Sequence, residues 1–69
     1  MITKEIYLET LKKKYQADYT IAGTNFKIYL NQTVGVADHP NVIGSMDELV
    51  EKIVSAKEKL SIIKEYMEI

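Results

Sequence analysis

Apolar residues recur along this chain with two different periods, and the change of period predicts its elements. Near the N-terminus Tyr7, Leu8, Leu11 and Tyr15 fall at the three- and four-residue spacings of one helical face. A helix is expected from about Lys4 to Tyr15, with Thr3 as its N-cap and Ile2 placed to staple onto Tyr7. Lys12, Lys13 and Lys14 lie in its last turn, where positive charge complements the helix dipole, and Glu9 stands one turn from Lys13.

From Asp18 to about Ala37 the spacing shifts toward two. Tyr19 and Ile21, then Phe26, Ile28 and Leu30, then Val34 and Val36 alternate with more polar residues, which predicts three short antiparallel strands. Gly23 is placed to supply a positive φ for the first turn, and Asn31-Gln32 to form the second. Asp38 to Gly44 reads as a structured loop, because His39 precedes Pro40 and Asp38 and Asn41 favour turns.

Ser45, with Glu48 three residues on, has the form of a capping box for a last helix from about Met46 to Met67. Met46, Leu49, Ile53, Ala56, Leu60, Ile63 and Met67 alternate spacings of three and four, an uninterrupted a/d seam. Lysines 52, 57, 59 and 64 occupy its flanking e and g positions, which opposes simple pairing of two copies of this helix. At roughly 33 Å the helix would overhang a first helix of about 20 Å. Leu60, Ile62, Ile63, Tyr66, Met67 and Ile69 are therefore expected to meet an oligomer mate or another partner. The expected architecture is a single α+β domain over 1–69, a three-stranded antiparallel meander flanked by an N-terminal helix and a long C-terminal helix (αβββα).

Composition narrows the function classes. A chain of 69 residues has room for one domain with a marginal core. Nine lysines against ten acidic residues leave a net charge of -1, which disfavours a protein built to neutralise nucleic-acid phosphates. There is no arginine, so an anion site would rely on lysine, backbone N–H groups or a helix N-terminus. Without cysteine there is no disulfide, thiolate nucleophile or zinc finger. No apolar run reaches the length of a membrane span, and the first residues lack a signal-peptide pattern, so a cytoplasmic protein is expected.

Candidate chemistry is sparse. A triad from Ser45 or Ser55 with His39 and Asp38 would lack a nucleophile elbow, and one imidazole with scattered carboxylates is short of a metal site, so neither an enzyme nor a cofactor is expected. Gly35, Asp38, His39, Asn41 and Ser45 form the one combination suited to a small anionic ligand or nucleotide beside a helix N-terminus. Lys12 to Lys14 with Tyr15, or Lys27 with Tyr29, are the only lysine and aromatic groupings for a nucleic acid.

Gly35-Val-Ala-Asp-His-Pro-Asn41, followed by the capped helix rich in lysine and glutamate, resembles the small lysine-rich proteins of phage and prophage genomes. The resemblance covers about the C-terminal half of the chain. It implies a non-enzymatic protein that binds and inhibits another protein or sequesters a small molecule. The function expected is a homo-oligomeric protein-interaction or inhibitor module, with ligand binding and nucleic-acid binding as the alternatives.

Overall fold

A computed structural model describes Met1, residues 3–31 and residues 41–69. Two helices make up the fold, α1 over Lys4–Asn31 and α2 over Val42–Met67. Among the described residues there is no strand, so the expected α+β class and its three-stranded meander are corrected to an antiparallel helical hairpin. Residues 32–40 carried the third predicted strand and the first three residues of the predicted loop, and Ile2 the predicted staple; these lie outside the described residues, while Val42 to Gly44 of that loop are helical.

The first helix begins where its cap places it. The Ile6 N–H donates to Thr3 Oγ1 at 3.3 Å, and the Tyr7 N–H donates to the Thr3 carbonyl at 3.2 Å. Instead of stopping at Tyr15, α1 continues through the segment read as two strands, for 28 residues or about 42 Å. The reason lies in α2. A seam running from Val42 to Ile63 needs an apolar partner along its whole length, and only a helix of matching length covers it. Tyr15, Ala22, Phe26 and Tyr29 supply that partner at heptad spacing and are buried or half-buried. The local strand preference of Tyr19, Thr20, Ile21 and Phe26 is overridden by this packing. Gly23 sits inside the helix, and no described glycine has a positive φ.

The last helix starts one turn before the expected cap. Asn41 is its N-cap, with Oδ1 accepting from the Gly44 N–H at 3.3 Å, and Ser45 lies in the first turn with its N–H donating to the Asn41 carbonyl at 3.1 Å. Two residues suited to capping stood four apart; the earlier one wins because the extra turn carries Val42 into the seam, where it is half-buried. The predicted end at Met67 agrees with the structure, and the Glu68 N–H closes it on the carbonyls of Lys64 and Glu65.

The seam of α2 is present, and among the described residues α1 covers it. Leu8 and Glu9 border the same groove as Tyr66 and Met67, Lys12 the same groove as Leu60 and Ile63, Ala22 the same as Ala56, and Phe26 the same as Ile53. Because α1 runs the full length, the C-terminal turns of α2 do not overhang it. The result is a rod of 51 × 18 × 15 Å. Its core is slight: only Ala22 (3% exposed), Ala56 (3%) and Ile63 (8%) are buried among the described residues.

Candidate interaction surface

Each helix turns two kinds of apolar position outward. Next to the α1 seam, Tyr7, Leu11, Ile21 and Ile28 recur in one stripe, with Tyr7 and Ile21 each 60% exposed. This stripe lies about a quarter-turn round the helix from Leu8, Tyr15, Ala22 and Tyr29. It borders a groove in which Asp18, Ile21 and Asn25 of α1 face Lys52, Ser55 and Lys59 of α2. Toward the C-terminus α2 continues the same flank with Ile62, Tyr66 and Ile69, all more than half exposed. On the opposite flank Leu30, Ile43, Val50 and Val54 are exposed near the other end of the rod.

The stripe on α1 is interrupted by one ion pair. Lys14 Nζ lies 2.8 Å from Asp18 Oδ2, one helical turn away, with the side chains 62% and 44% exposed. It is the only ion pair among the described residues, so the expected Glu9–Lys13 pair is not formed. The Asp18 carboxylate accepts a hydrogen bond from Lys14 and attracts its charge, and both effects raise the Lys14 pKa above the ordinary lysine value. Any stabilisation from this pair is therefore present below the ordinary lysine pKa and fades as pH rises through the raised one. Lys14 and Lys59 also flank the Tyr15 ring, with Nζ 5.6 Å and 5.4 Å from its centroid.

The residues predicted to meet a partner divide into two sets. Leu60 and Ile63 face α1 within the hairpin; Ile62, Tyr66, Met67 and Ile69 are exposed. Of the predicted ligand loop, Gly35, Asp38 and His39 lie outside the described residues. Asn41 uses its side-chain oxygen as the helix cap, and Ser45 is half-buried in the first turn. Lys12 and Lys64 line one flank of the rod while Lys52 and Lys59 line the other, so the lysines encircle the hairpin rather than forming one track. Among the described residues no three His, Asp or Glu side chains converge as a metal site would require.

Sequence reasoning missed the α1 stripe because it placed Ile21 and Ile28 on a sheet and Tyr7 and Leu11 in the core. A heptad register extended from α2 back onto residues 8–29 would have found it. No described helix is long and apolar enough to cross a membrane. No protein-family model, curated protein or solved structure matches the chain.

Proposed function

We propose that this protein is a small non-enzymatic interaction or inhibitor module of the phage-encoded kind, working in the cytoplasm by binding rather than by catalysis. The observation that supports this reading is the amount of large apolar side chain left outside the hairpin seam. Ile62, Tyr66 and Ile69 on α2 and Tyr7, Leu11, Ile21 and Ile28 on α1 stay exposed after the two helices have covered what they can of each other. Surfaces of this kind mark sites where another macromolecule docks. Helical anchors one turn apart, such as Ile62 and Tyr66, suit a partner that offers a groove or another helix.

Affinity capture with the full chain tests the reading, with wild type and an Ile62→Glu/Tyr66→Glu variant run side by side at equal helicity. The expected result is a partner recovered in fixed stoichiometry by the wild type and lost from the variant. If the wild type recovers no stoichiometric partner and does not associate with itself, the reading fails.

A further inference from the structure

We draw no further inference here: the strongest candidate, the exposed apolar stripe of α1 with the groove it borders, where Asp18, Ile21 and Asn25 face Lys52, Ser55 and Lys59 of α2, carries nothing because nothing in the structure shows what covers it.

Discussion

The Lys59 ammonium of α2 lies 5.4 Å from the centre of the Tyr15 ring of α1, and Lys14 reaches the same ring from its own helix at 5.6 Å. The Lys59 contact joins the two helices near the middle of α1. It uses a tyrosine that the sequence marked as core and a lysine that it marked as flanking. Exposed cation–π contacts contribute ~0.5–1 kcal/mol each. Tyr15→Leu keeps an apolar side chain in the seam but removes both contacts, and a loss of about 1 kcal/mol in urea unfolding is expected. An unchanged midpoint would mean that the lysines contribute nothing here.

Ala22 and Ala56 face the same groove and are the least exposed side chains described. Small residues at this point let the helices approach closely. Ala22→Leu or Ala56→Leu forces extra volume between them and is expected to cost ~1–3 kcal/mol. Removing side chain at Ile63, the largest buried residue, is expected to cost at least ~2 kcal/mol as Ile63→Ala. Thermal unfolding followed by circular dichroism measures all three.

Gly23 separates the two readings of the middle segment by the sign of one substitution. Inside α1 a Cβ at this position meets no atom within 4 Å, and the backbone is helical. Gly23→Ala should therefore stabilise the protein by ~0.5–1 kcal/mol, the helix-interior difference between these residues. A turn with positive φ at Gly23 would instead make alanine destabilising.

The start of α2 predicts a coupling. Asn41→Ala removes the N-cap and is expected to cost about 1 kcal/mol, whereas Ser45→Ala, now inside the first turn, should change stability by less than ~0.5 kcal/mol. A Cβ at Gly44 would lie 2.5 Å from the Asn41 side chain and displace it. Gly44→Ala should thus gain little in the wild type, where better helix propensity is offset by a lost cap, and gain ~0.5–1 kcal/mol once Asn41 is already alanine. Equal effects in both backgrounds would show that the cap is not made as described.

What the sequence revealed and concealed follows from the same residues. The α2 seam, its end at Met67 and the Thr3 cap were legible because spacing and cap chemistry act locally. The continuation of α1 was not. Tyr19, Ile21, Phe26, Ile28 and Leu30 fit a period of two as well as they fit a helix, and their β-forming side chains favoured the strand. What decides between them is the length of the α2 seam, which lies far along the chain and acts only through packing. The candidate surface inherited that error: Ile62, Tyr66 and Ile69 were found as exposed ends of α2, but the stripe of Tyr7, Leu11, Ile21 and Ile28 becomes visible only once residues 18–31 are helical. The α2 seam that the lysines at e and g positions flank faces α1 in the hairpin.

Every surface described depends on α1 remaining helical beyond Tyr15. The most direct measurement is therefore the set of backbone NMR Cα and Cβ chemical shifts for residues 16–31 in the full chain. The hairpin predicts unbroken helical shifts through Asn31, with side-chain contacts from Tyr15 to Lys59. Strand-like shifts at Tyr19–Ile21 and Phe26–Leu30, with cross-strand contacts between them, would contradict the fold and the exposed surface built on it.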